Sequence, residues 1–156
     1  MKLAQALIER ADLQRKLAQL GARLQQNAQY QEGEAPAEDP QDLLTDYRRS
    51  AAALTRLIIA INRANHNVTL ADGTTMLAAL AERDRLKAEH AMLGKVADAA
   101  MADQSRYSRS EIRTLAAVDI RALRREADNV AKRCRELDIQ IQQANWENDI
   151  AEEEAS

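Results

Sequence analysis

Phenylalanine is absent from this 156-residue sequence, and Trp146, Tyr30, Tyr47 and Tyr107 are its only aromatic residues. Proteins that hold single-stranded nucleic acid stack bases on aromatic rings, so that mode of binding has almost no platform here. Cysteine is nearly absent too: Cys134 stands alone, which excludes an intramolecular disulfide and with it a disulfide scaffold. A lone thiol fits a reducing compartment. No long hydrophobic run exists. Runs such as Leu57 to Ile61 are short, against the roughly 20 apolar residues of a membrane span. A surplus of basic residues is also missing, since 22 Lys and Arg face 25 Asp and Glu for a net charge of -3. That balance argues against a dedicated nucleic-acid binder. Met1 to Gln5 lead straight into a charged periodic segment rather than a basic-then-apolar leader. No secretory signal is therefore expected, and the expected location is cytoplasmic.

What is present is helical periodicity. Leu13, Leu17, Leu20 and Leu24 recur at steps of four and three, and Leu3 and Leu7 extend the same face. This first helix is expected to end near Tyr30, before the acidic linker Glu32–Glu38 with Gly33 and Pro36. A second helix starts at Asp39 as N-cap with Pro40 in the first turn and Asp42 at its positive end. Its apolar face runs through Leu43, Tyr47, Leu54, Leu57, Ile61 and Ala64, and it is expected to stop near Asn65–Asn67. Val68 to Thr75 breaks the pattern around Asp72-Gly73, and here a small hairpin and a plain loop are both open. Thr74 or Thr75 then caps a third helix, with Met76, Leu80, Leu86, Leu93, Val96 and Met101 expected on or near its buried side. In the next connector Ser108 and Glu111 have capping-box spacing, while Ile112–Leu115 reads as extended. Asp119 caps a fourth helix whose seam is Ile120, Leu123, Ala127, Val130, Cys134, Leu137, Ile141 and Ala144, ending near Trp146. The acidic tail 147–156 is expected to fray.

The two halves resemble each other. At an offset of 73, Ala6, Leu7, Glu9, Arg10, Leu13 and Leu20 match Ala79, Leu80, Glu82, Arg83, Leu86 and Leu93. At an offset of 80, Asp39, Leu43, Leu57, Ile61, Ala64 and Asn65 match Asp119, Leu123, Leu137, Ile141, Ala144 and Asn145. The expected architecture is all-α: a single helical domain over 1–156, with an internal repeat of approximately 2–66 and 75–146. Four long helices form two duplicated antiparallel αα-hairpins, as a helical bundle or coiled coil, joined by a short β-hairpin or extended connector. Such hairpins have lean Leu, Ile and Ala cores, so self-association into a homo-oligomer is expected.

Chemistry-bearing patterns are sparse. His66 and His90 are preceded three residues earlier by Arg63 and Lys87, so the Glu-x-x-His pairs of a bundle metal site are absent. No zinc spacing, phosphate loop or nucleophilic triad order occurs. No metal, cofactor or catalytic residue is therefore predicted. Cys134 falls on the apolar seam and reads as a small buried hydrophobe. Asn62, Asn65, Asn67, Asn145 and Asn148 read as packing or C-capping residues. Gly21 and Gly94, equivalent in the repeat, suggest a close helix crossing. The candidate contact for an anion or a partner is Arg106, Tyr107, Ser108 and Arg109, where arginines adjoin free helix amides.

Met1-Lys2-Leu3-Ala4-x-Ala6-Leu7, Gln31-Glu32-Gly33-Glu34, Pro36-x-Glu38-Asp39-Pro40, Asp72-Gly73-Thr74, Arg106-Tyr107-Ser108-Arg109-Ser110-Glu111-Ile112 and Ala144-Asn145-Trp146 together resemble an uncharacterised bacterial helical family whose members often carry the label septicolysin. The resemblance covers nearly the whole chain. It implies a bacterial helical protein of unknown function and supplies no catalytic residue. The label implies a thiol-activated pore-former, a secreted β-rich protein with a Trp-rich, Cys-containing membrane loop. One Trp and a cysteine on a helical seam do not match that pattern. The function expected from the sequence is a structural or interaction protein that presents rigid helical surfaces to copies of itself or to another protein. Membrane activity by opened hairpins is the alternative.

Overall fold

The computed structural model describes residues 1–101 and 112–151. Four helices follow one another: α1 (Leu3–Gln26), α2 (Pro40–Asn67), α3 (Met76–Met101) and α4 (Ile120–Glu147). The fold is all-α. Beside the helices, the described residues hold only two isolated β-bridges, Lys2 with Asp149 and Thr69 with Thr75.

Local chemistry sets the boundaries. The Asp39 carboxylate accepts from the Gln41 amide at 2.8 Å, and Pro40 occupies the first turn. The Asp119 carboxylate accepts from the Ala122 amide at 2.9 Å. Of the two threonines before α3, Thr75 caps it, its Oγ1 accepting from the Ala78 amide at 3.2 Å. Replacing Asp39 or Asp119 by Ala is expected to lower stability by about 1 kcal/mol each, read as a shift in the urea midpoint with an unchanged slope. The first helix stops four residues before Tyr30, at Gln26. Asn27 ends it: its side-chain amide donates to the Arg23 carbonyl at 2.8 Å, and its Oδ1 accepts from the Glu38 amide at 2.9 Å. One buried asparagine thus ties the end of α1 to the approach to α2.

The chain divides into two compact units, Met1–Val68 with the segment from Gln143, and Thr69–Gln142. In the first unit α1 and α2 pack antiparallel, with Lys16 bonded to Asp46 at 3.1 Å and Arg23 Nε to Glu38 at 2.9 Å. Leu3, Ala6, Leu20, Leu43, Ile61 and Ala64 are buried there. In the second, α3 and α4 run antiparallel, held by Arg83–Asp138 at 2.9 Å and Arg124–Asp98 at 2.7 Å. Met76, Leu86, Ala97, Ala127 and Val130 are buried in this unit.

The acidic tail does not fray from its first residue. Leu3 N donates to the Asn148 carbonyl and Ile150 N to the Met1 carbonyl, both at 2.9 Å. Ile150 is buried, and Lys2 Nζ bonds Asp149 at 3.0 Å. An apolar side chain and two backbone bonds outweigh the acidic composition. The Val68–Thr75 turn is a minimal hairpin: Leu70 N donates to the Thr74 carbonyl at 2.8 Å, and Gly73 takes the positive φ of 85° that closes it. The two bridges coincide in register. Adding 73 to Lys2 gives Thr75, and subtracting 80 from Asp149 gives Thr69. The same offsets carry the Ile150–Met1 bond onto Leu70–Thr74. Buried Leu3, Ala6, Ile61 and Ala64 fall onto buried Met76, Ala79, Ile141 and Ala144.

Candidate interaction surface

Helix α3 has two apolar faces. Met76, Ala79, Leu86 and Ala97 are buried on one. At 100° per residue, Leu77, Ala81, Ala88, Ala91, Met92 and Ala99 share another face, and every one of them is exposed. Leu77 and Met92 are 57% and 58% exposed. A helix that is apolar on opposite sides has more than one surface to cover. The α1 positions matching Ala88, Met92 and Ala99 carry Arg15, Gln19 and Gln26, while those matching Leu77, Ala81 and Ala91 carry Ala4, Ile8 and Ala18, so the stripe is continuous on α3 and interrupted by polar residues on α1. Val96 and Met101, expected on or near the buried side of this helix, are instead 36% and 60% exposed. The apolar residues of α3 thus divide between two faces instead of forming one seam.

Two charges lie in the exposed stripe. Asp84 and Lys95 are both exposed, and among the described residues neither side chain has an ion-paired or hydrogen-bonded partner. Elsewhere on α3, Arg85 bonds Glu82 at 2.7 Å and Glu89 at 2.9 Å. The Arg85 hydrogen bond holds the Glu82 carboxyl below the usual carboxylate range. Bonding to Arg23 does the same for Glu38, and the Thr74 amide and hydroxyl do so for Asp72.

The seams of both hairpins are covered incompletely. Leu13, Leu17 and Leu24 of α1 and Leu54, Leu57 and Ile58 of α2 are only half-buried, as are Leu80, Leu93, Leu123 and Leu137 of α3 and α4. Cys134 is likewise half-buried rather than buried, because it borders a groove with Lys87 and His90. Gly21 and Gly94 do not mark a close helix crossing, since a Cβ at either position would meet nothing within 4 Å. Asn148 does cap α4, donating from its side chain to the Ala144 carbonyl at 2.9 Å. Asn145 is buried, while Asn62 and Asn67 are exposed. Arg106, Tyr107, Ser108 and Arg109, the sequence's candidate contact, lie outside the described residues, as does the Ser108–Glu111 capping box. Residues 112–115 are non-helical. Among the described residues no group of three or more His, Cys, Asp or Glu is placed to hold a metal ion. No helix there is long and apolar enough to cross a membrane.

Residues 10–150 match the model of a family of unknown function, DUF6847. The chain belongs to DUF6847. A crystal structure described as a functionally unknown conserved protein from Corynebacterium diphtheriae is similar to this DUF6847 chain at 38% identity and a TM-score of 0.90. The likeness covers 97% of this chain and 99% of that one. No curated protein matches. The all-α fold is thus shared with a solved structure of unknown function.

Proposed function

We propose that this DUF6847 protein is a self-associating helical scaffold without catalytic chemistry, which binds a second copy of itself through the outer face of α3. The observation that carries the reading is the exposed stripe Leu77, Ala81, Ala88, Ala91, Met92 and Ala99 on a helix already buried on another side. Leu77 and Met92 supply apolar area, and the alanines let two helix axes approach to about 8 Å. The charges favour a copy of the same chain. Asp84 and Lys95 lie equally far from the midpoint between Ala88 and Ala91. Two copies related by a two-fold axis at that midpoint run antiparallel and set each Asp84 against the other's Lys95. Such solvent-accessible pairs contribute about 0–1 kcal/mol each and act mainly by fixing register.

The test is a charge exchange. Asp84→Lys sets lysines against lysines and is expected to weaken association several-fold, while Asp84→Lys combined with Lys95→Asp restores it. Analytical ultracentrifugation over a concentration series measures both. Equal weakening by the single and the double variant would refute the antiparallel register.

A further inference from the structure

A second feature lies on different faces of the same hairpin. Lys87 and His90 of α3 and Ala131, Cys134, Arg135 and Ile139 of α4 line an open groove of about 470 Å³. That volume is in the range of small-molecule clefts, roughly 300–1,000 Å³. Asp138 also borders the groove, but Arg83 of α3 holds it at 2.9 Å. Among the described residues Lys87, His90 and Arg135 have no ion-paired or hydrogen-bonded side chain. Two cations, one from each helix, therefore line a groove with Ala131 and Ile139, and the carboxylate at its border, Asp138, is already bonded to Arg83.

The first hairpin shows what this seam looks like when it is filled. At the offsets that superpose the bridges, His90, Cys134 and Asp138 correspond to Leu17, Leu54 and Ile58, and Lys87 and Arg135 to Gln14 and Thr55. Leu17, Leu54 and Ile58 are half-buried side chains of the α1–α2 seam. In the second hairpin three branched apolar groups give way to smaller or polar ones, and two neutral positions become cations. The exchange opens volume and adds positive charge at one place.

We infer that the α3–α4 groove binds a small amphiphilic oxyanion, a carboxylate or phosphate carried on an apolar body. Lys87 and Arg135 meet the oxyanion from the two helices, Arg135 with paired N–H donors. The apolar body lies along Ala131, Cys134 and Ile139. The inference does not rest on self-association: Cys134, Arg135 and Ile139 lie on α4, and His90 is turned roughly 160° from Ala88 of the exposed stripe.

Cys134 is the chain's single thiol and so reports occupancy of the groove. The experiment measures its alkylation by neutral iodoacetamide in the presence of decanoate, decyl phosphate, decanol or inorganic phosphate, each below its micelle concentration. Decanoate or decyl phosphate is expected to slow alkylation, and the better of the two identifies the headgroup. Decanol and inorganic phosphate are expected to have little effect. In Lys87→Ala/Arg135→Ala, which removes both charge-assisted contacts, the half-protecting concentration is expected to rise by at least about tenfold. Thermal melts confirm that the variant is folded, and Arg135→Lys, which keeps the charge, is expected to retain part of the protection. Absence of protection by both anions would overturn the inference. So would equal protection by decanol or by inorganic phosphate, or undiminished protection in the double alanine variant. Protection that grows with protein concentration alone would mean that a second copy fills the groove, and would overturn it too.

Discussion

Replacing Leu77 and Met92 together by Glu is expected to reduce the self-associated protein to a single 17.4 kDa chain while leaving its helix content intact. Both side chains are more than half exposed within one chain, so the charges enter water rather than a core. Full burial of a Leu or Met side chain is worth about 1.5–3 kcal/mol, and roughly half of that is available to groups already partly covered. A two-fold contact uses each residue twice, so about 4 kcal/mol is lost, or about a thousandfold in Kd. The carboxylates add a desolvation cost at the contact. Gln19→Glu, at the α1 position equivalent to Met92, is the control and is expected to leave association unchanged. Light scattering coupled to gel filtration reads the mass, and circular dichroism reads the helix content.

The second large effect falls on the core. Ile61→Ala removes a side chain only 1% exposed in α2 and is expected to cost about 2–5 kcal/mol. That is a large part of the roughly 5–15 kcal/mol available to a domain. Ile141→Ala, at the equivalent position of α4 and also 1% exposed, is expected to cost a similar amount. Ile139→Ala, two residues earlier and 66% exposed, is expected to stay within about 0.5 kcal/mol. Urea denaturation of the three variants gives the comparison. An Ile139 effect equal to that of Ile61 would contradict the burial pattern.

The helices were legible because their signals are local. Asp39, Pro40 and Asp119 mark their starts by chemistry that acts within a few residues, and the apolar recurrences mark their lengths. Contacts between distant residues were not legible. Nothing in the composition of Asn148–Ile150 announces that it pairs with Met1–Leu3, because that pairing spans almost the whole chain. The division of α3 into two apolar faces was missed because alanine matches almost any seam, so Ala81, Ala88 and Ala99 carried little weight beside Leu86 and Leu93. The groove was missed for a related reason. Cys134 keeps the seam spacing of Leu54, and only the packing shows that it borders open space.

The most direct test of the account is the mass of the unmodified protein by light scattering over a dilution series, beside the Leu77→Glu/Met92→Glu variant. The predicted result is twice 17.4 kDa for the unmodified chain at high concentration, falling towards one chain mass on dilution, and one chain mass throughout for the variant. A single-chain mass at every concentration, or an oligomer that survives both substitutions, would contradict the assignment of α3 as the self-association surface.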